Sequence, residues 1–196
     1  MTQVQGRSRA AALPLEQRRA AIVAATLPLF LEQGGAVTSK EIAQAAGIAE
    51  GTIFRVFEDK TALLDAVIEA ALDPAPTELA IRAIDDTLSF EDKLIAAVEI
   101  LRQRVLYVFH VLSAASGTTR GTTTPRNAEL PSLTAMFEAE SAHLSRAPAD
   151  AARVLRGLTF ACVHPSFGAD DPLTSGDIVA VLLDGIRRPV AGEPSC

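Results

Sequence analysis

A hydroxyl at Thr38, a carboxylate three residues on at Glu41 and a glycine at Gly47 leave residues 38–57 few ways to fold. A threonine that accepts the N3 amide, with a glutamate reaching back to the cap amide, starts a helix. A glycine in the left-handed conformation ends one. The spacing predicts a short helix over 39–46, a turn of Gly47, Ile48 and Ala49, and a second short helix over 50–57. Ile42, Ala46, Ile48, Ile53 and Phe57 are the expected buried contacts. Upstream, Ile22, Ala25, Leu29 and Phe30 form a helical stripe between Pro14 and Gln33. Pro28 should remove one backbone bond from that helix and bend it. Gly34-Gly35 should end it. Downstream, Asp59 is placed to cap a helix over 60–72.

The rest of the chain reads as further helices, and strand-like alternation is absent, so the expected fold is all-α. Candidate helices cover 77–87, 89–115, 128–145, 148–164 and 175–188. Ser89 with Asp92, and Thr174 with Asp177, mark two of the starts. The second half of the long helix, 105–112, is apolar nearly all round, the mark of an element buried on most sides. Residues 117–127 are rich in Thr and Gly and read as a mobile loop. Three segments follow: an arm over 1–13, a helix-turn-helix domain over 14–66 and a larger helical domain over 67–196.

Composition narrows the function. With 48% hydrophobic residues the chain can bury a sizeable core. No apolar run approaches the roughly 18 residues that a membrane span needs. Arg7 and Arg9 precede no apolar stretch of the signal-peptide kind. Two cysteines, Cys162 and Cys196, exclude a disulfide scaffold and a cysteine zinc cluster. His110, His143 and His164 are too dispersed for a metal site. No Gly-x-Ser-x-Gly elbow occurs, and no carboxylate pair stands out as an acid–base couple. The expectation is a cytoplasmic, non-enzymatic protein without metal, cofactor or membrane partner. Charge is uneven: residues 1–60 carry a net +1 and residues 61–196 a net −7. That balance argues against a general nucleic-acid coat. It still allows a small DNA-reading face, since fields are screened within about 8–10 Å at physiological salt.

Residues 38–57 suit such a face. A helix start with free N–H groups accommodates a phosphate, and a second helix can lie in the major groove. With Ile53 and Phe57 turned inward, Glu50, Gly51, Thr52, Phe54 and Arg55 turn outward or sideways. Arg55 can grip guanine O6 and N7. Thr52 offers a hydroxyl and a methyl, Phe54 only packs, and Gly51 lets the backbone approach closely. Lys60 begins a helix, where its charge opposes the dipole unless an anion sits nearby. Glu50 has a plainer reading as a carboxylate favoured by a helix start. Arg7 and Arg9 are either a solvated tail or a DNA-tracking arm.

The stretch VTSKEIAQAAGIAEGTIFRVFEDKTALL, residues 37–64, behind the Ile22–Phe30 stripe and Gly34, resembles the DNA-binding domain of TetR-family transcriptional regulators. The likeness covers residues 14–66, about a quarter of the chain. It implies a homodimer on double-stranded operator DNA and a small-molecule pocket in the larger domain. Carried over, Thr38, Lys40, Thr52, Phe54 and Lys60 fall on backbone-contacting positions. Glu50, Gly51 and Arg55 fall on base-reading ones. Phe54 departs from the tyrosine common at its position and lacks the hydroxyl that reaches a phosphate.

For the larger domain, Arg104, Tyr107, His110, Met136, Phe137 and Phe160 are the candidate pocket residues for a mostly apolar effector. Tyr107 and Met136 are expected to line one enclosed cavity. The apolar faces carrying Leu155 and Leu158, and Ile178, Leu182 and Ile186, are the candidate dimer interface, a four-helix bundle across a two-fold axis. The reading that results is a ligand-responsive regulator, a repressor by expectation. Three others stay open: a chromosome-organising protein of the same fold, a protein-docking module, and an enzyme hosted by the C-terminal helices.

Overall fold

A computed structural model of the chain describes residues 14–118, 129–164 and 173–187. Its elements are α1 (Leu15–Gln33), a 3-10 turn (Gly34–Ala36), α2 (Ser39–Ala45), α3 (Glu50–Ile53), α4 (Lys60–Leu72), α5 (Ala75–Arg82), α6 (Phe90–Ala115), α7 (Pro131–Ala139), a second 3-10 turn (Ser141–His143), α8 (Pro148–Val163) and α9 (Ser175–Ile186). Among the described residues there is no strand, only an isolated antiparallel bridge between Leu144 and Arg187. The fold is all-α. Among the same residues no helix is long and apolar enough to cross a membrane. Arg7, Arg9, Cys196 and most of the 117–127 loop lie outside the described residues.

The chain divides into two compact units. The first holds the residues up to Ala71 together with a short segment that starts at Ala114. Its boundary falls beyond the expected 66 because Val67, Ile68 and Ala71 are buried in α4. Ile22, Phe30, Ile42, Ile53, Phe57, Leu63 and Leu64 are buried in this unit too. Ala25 and Leu29 are only half-buried; Thr26 takes the inner position. Its hydroxyl donates to the Ile22 carbonyl at 2.7 Å, which makes a polar side chain acceptable in the interior. Gly34 ends α1 at φ 58°, its N–H returning to the Phe30 carbonyl. Gly47 ends α2 at φ 66°.

The second unit contains residues 72–113 and the chain from 123 onward. Its core joins Ile81, Leu94, Val98, Leu133, Phe137, Leu155, Ile178 and Leu182. Phe90 stands edge-on to Phe137 at 5.7 Å. Hydroxyls start two of its helices: Ser89 accepts the Asp92 amide, and Thr174 forms a full capping box with Asp177. Two helices are shorter than the spacing predicts. α5 stops at Arg82, before turns that continue to Leu88, and α7 ends at Ala139, before the 3-10 turn.

Candidate nucleic-acid interface and C-terminal cleft

The capping box at α2 is complete. Thr38 Oγ1 accepts the Glu41 amide at 3.2 Å, and Glu41 Oε2 accepts the Thr38 amide at 2.8 Å. The Thr38 hydroxyl proton also goes to Glu41, at 2.7 Å. These bonds from Thr38, side chain first and backbone second, hold the Glu41 carboxyl below its ordinary pKa. In this arrangement the Thr38 hydroxyl shapes the helix start, its proton going to Glu41.

The second helix is shorter than expected. α3 closes at Ile53, and Arg55 and Val56 make tight bonds to the Thr52 and Ile53 carbonyls at 3.3 and 3.0 Å. A final helical bond from Phe57 to the Ile53 carbonyl, 2.9 Å, keeps both side chains buried. The outward set follows from that anchoring. Glu50, Gly51, Phe54 and Arg55 are exposed, Thr52 is half-buried, and Lys40 on α2 is exposed. A Cβ built on Gly51 meets nothing within 4 Å, so the fold itself does not demand glycine there. Arg19 of α1 lies over the Phe57 ring, 4.5 Å from its centre, and braces the end of this segment.

The Lys60 ammonium donates one of its three protons to the Gly35 carbonyl at 2.8 Å, which positions its charge at the start of α4. Asp59 supplies the expected cap, accepting the Ala62 amide at 2.8 Å.

In the second unit an open cleft of about 570 Å³ runs between α6 and α8, with the start of α5 beside it. Val105, Val108, Phe109, Leu112, Leu130 and Phe160 give it apolar walls, and Arg104, Arg153, Arg156 and His164 are its polar groups. His164 stands edge-on to Phe109 at 5.1 Å and tilted against Phe160 at 4.9 Å. Arg104 donates to the Leu72 carbonyl. Burial pushes the pKa of both Arg104 and Arg156 down, opposed at Arg104 by Tyr107 and Asp73.

The expected pocket is therefore only partly assembled. Arg104 and Phe160 line the cleft, but Tyr107 and His110 do not, and His110 is exposed. Met136 lines a different hollow, of about 390 Å³, with Ile81 and Phe90. Phe137 is fully buried core. The single cavity shared by Tyr107 and Met136 is not formed, because Met136 sits on the side of α7 toward α5. Arg156 was missed. A wholly apolar helix such as 105–112 offers no pattern that tells a cleft wall from core.

The dimer candidates need the same correction. Leu155, Ile178, Leu182 and Ile186 are buried in their own unit's core, and Leu158 packs against it. The faces of α8 and α9 left outside carry Val154, at 43% exposure, Ala161 and Val181, at 55%.

Residues 22–67 match the family described as bacterial regulatory proteins, tetR family. The chain carries the amino-terminal domain of TetR-family regulators. In fold, it is similar to a Mesorhizobium loti protein assigned to the TetR-family transcriptional regulators. The TM-score is 0.62 at 15% identity, over 90% of this chain and all of that one. It is similar to a Pseudomonas aeruginosa protein assigned as a transcriptional regulator, at TM-score 0.57 and 20% identity, over 89% and 92% of the two chains. A TetR-family transcriptional regulator from Haemophilus influenzae gives 0.52 at 14%, over 88% and 98%. No curated protein matches the sequence. A TetR-type amino-terminal domain within an all-helical fold is what the chain shares with these regulators.

Proposed function

We propose that this TetR-type protein is a ligand-responsive repressor that binds a palindromic operator as a homodimer and leaves it when a small, mostly apolar effector fills the C-terminal cleft. The observation that carries the DNA half is the division within residues 50–57. Ile53 and Phe57 are buried, while Glu50, Gly51, Phe54 and Arg55 face solvent around an unfilled space at Gly51. In this reading Arg55 takes a guanine edge, Thr52 and Phe54 contact the sugar–phosphate rim, and Lys40 meets a phosphate. Lys60 and Thr38 hold the two helix starts in place. Dimerisation uses the outward faces of α8 and α9, through Val154, Ala161 and Val181.

The test is binding to an operator selected from random DNA, set against scrambled DNA. Arg55→Ala should lose about 1–3 kcal/mol on the operator and relax one base position. Lys40→Ala should weaken both DNAs alike and flatten the salt dependence by about one counterion. Gly51→Ala should keep the fold and lose operator affinity, because its methyl occupies the approach to the groove. Parent-like binding of both DNAs by all three variants would remove the groove assignment. The effector needs only about 1.4 kcal/mol of preference for the DNA-free state to lower affinity tenfold.

A further inference from the structure

We propose that the C-terminal cleft selects an apolar-bodied monocarboxylate, with Arg156 as the group that takes its charge. The inference rests on the reading of this cleft as the effector site, and it names the chemical class of the effector.

Among the described residues three guanidiniums and an imidazole line the cleft, and no carboxylate does. This happens in the part of the chain whose net charge is −7, residues 61–196. Elsewhere in the same unit four cations pair with acids, and Arg146, without a pair, stands exposed to water. Arg82 meets Glu78 at 3.8 Å, Lys93 meets Asp86 at 3.7 Å, Arg102 meets Glu99 at 3.7 Å and Arg187 meets Glu91 at 3.2 Å. Within the cleft Arg153 is already held by Asp150 at 2.7 Å. Arg104 is held by the Leu72 carbonyl. Arg156 is half-buried, and among the described residues it makes no hydrogen bond or ion pair. A guanidinium withdrawn from water without a partner is unfavourable, and a planar carboxylate offers it two parallel bonds.

Among the described residues Arg156 is the cleft cation with no hydrogen bond or ion pair, and its planar fork is matched by a single carboxylate. Phe109, Phe160 and the His164 ring supply flat apolar surface for the body of the ligand. The volume, about 570 Å³, is that of a drug-sized ligand site.

Binding to the full-length protein is measured by titration calorimetry with 4-phenylbutanoate and decanoate. Each is set against its alcohol, 4-phenylbutanoate also against 4-phenylbutylamine and 3-phenylpropyl phosphate. The carboxylates should bind at least about tenfold more tightly than the alcohols, and the amine should not bind. Arg156→Gln should abolish the carboxylate preference and leave alcohol binding within about twofold. Arg156→Lys should restore part of it. Equal affinity for acid and alcohol, tighter binding of the phosphate, an unchanged preference in Arg156→Gln, or no saturable binding of either carboxylate would each overturn the proposal. Release of operator DNA is read separately. Carboxylate-selective binding without release would keep the site and remove the effector reading. Release driven equally by the alcohols would keep the effector reading and remove the anion selectivity.

Discussion

Gly34 gives a quantitative test of how the N-terminal unit is held. Its φ of 58° and ψ of −139° lie in a region that only glycine visits freely. A Cβ placed there would stand 2.8 Å from the Ala114 carbonyl oxygen, a backbone atom that cannot swing aside. The conformation alone costs a residue with a Cβ about 1–3 kcal/mol, and overpacking adds about 1–3 kcal/mol. Gly34→Ala should therefore destabilise the unit by about 2–6 kcal/mol. Gly47→Ala is the matched control. Its φ is similar at 66°, but nothing lies within 4 Å of the added methyl, so it should lose only about 1–2 kcal/mol. Thermal unfolding followed by far-UV circular dichroism reads the difference. For a unit of this size each kcal/mol moves the transition by about 4–8 °C. Hydrogen exchange on the amides of α1 assigns the transition to the right unit. If Gly34→Ala and Gly47→Ala fall together, or Gly34→Ala stays within about 0.5 kcal/mol of the parent, the close approach to Ala114 has no energetic meaning.

Two further predictions separate packing from association and charge from packing. Val181→Glu should yield a folded monomer by light scattering, whereas Leu182→Glu should fail to fold, because it places a charge where the chain has a fully enclosed leucine. A folded Leu182→Glu monomer, or an intact Val181→Glu dimer, would return the interface to the inner face. The Glu41 and Asp177 carboxyls are both held below their ordinary pKa by the hydroxyl and amide of the cap threonine. Such groups stabilise the fold above the unfolded-state pKa and lose that effect as pH falls through the lower folded value. Acidifying from pH 6 toward 3 should then lower the melting temperature less steeply in Thr38→Val/Thr174→Val than in the parent; parallel profiles would deny the caps this role.

What the sequence revealed depended on whether the deciding contact was local. Thr38 with Glu41, Thr174 with Asp177, and Gly34 and Gly47 each act within a turn of the chain, so four to six residues suffice to read them. Ile53 and Phe57 were legible as the inward pair because a helical bond joins them. Their outward neighbours followed from that pair, though α3 itself closes early. Long-range facts were not legible. The apolar stripe of α9, with Ile178, Leu182 and Ile186, announces that a face is buried. It does not say whether the chain's own helices or a second copy bury it. Threonines 26 and 159 count as polar in any periodicity, yet both are buried by giving their proton to the carbonyl four residues back. The bond from Lys60 to the Gly35 carbonyl, 25 positions away in sequence, lies beyond any local reading.

The charge distribution ties the two halves of the proposed mechanism together. A chain of net −6 repels both of its proposed partners, DNA and a carboxylate, at long range. At physiological salt that field fades over about 8 Å, so what remains is decided by the few cations each partner meets at contact. On the DNA side, among the described residues, these include Lys40 and Arg55, so affinity depends on where the helices place them as well as on base contacts. On the effector side Arg156 lines the cleft half-buried. Charge there acts through dissociation more than through encounter. In the proposed mechanism an acidic surface thus disfavours coating of DNA and leaves ligand choice to one half-buried guanidinium.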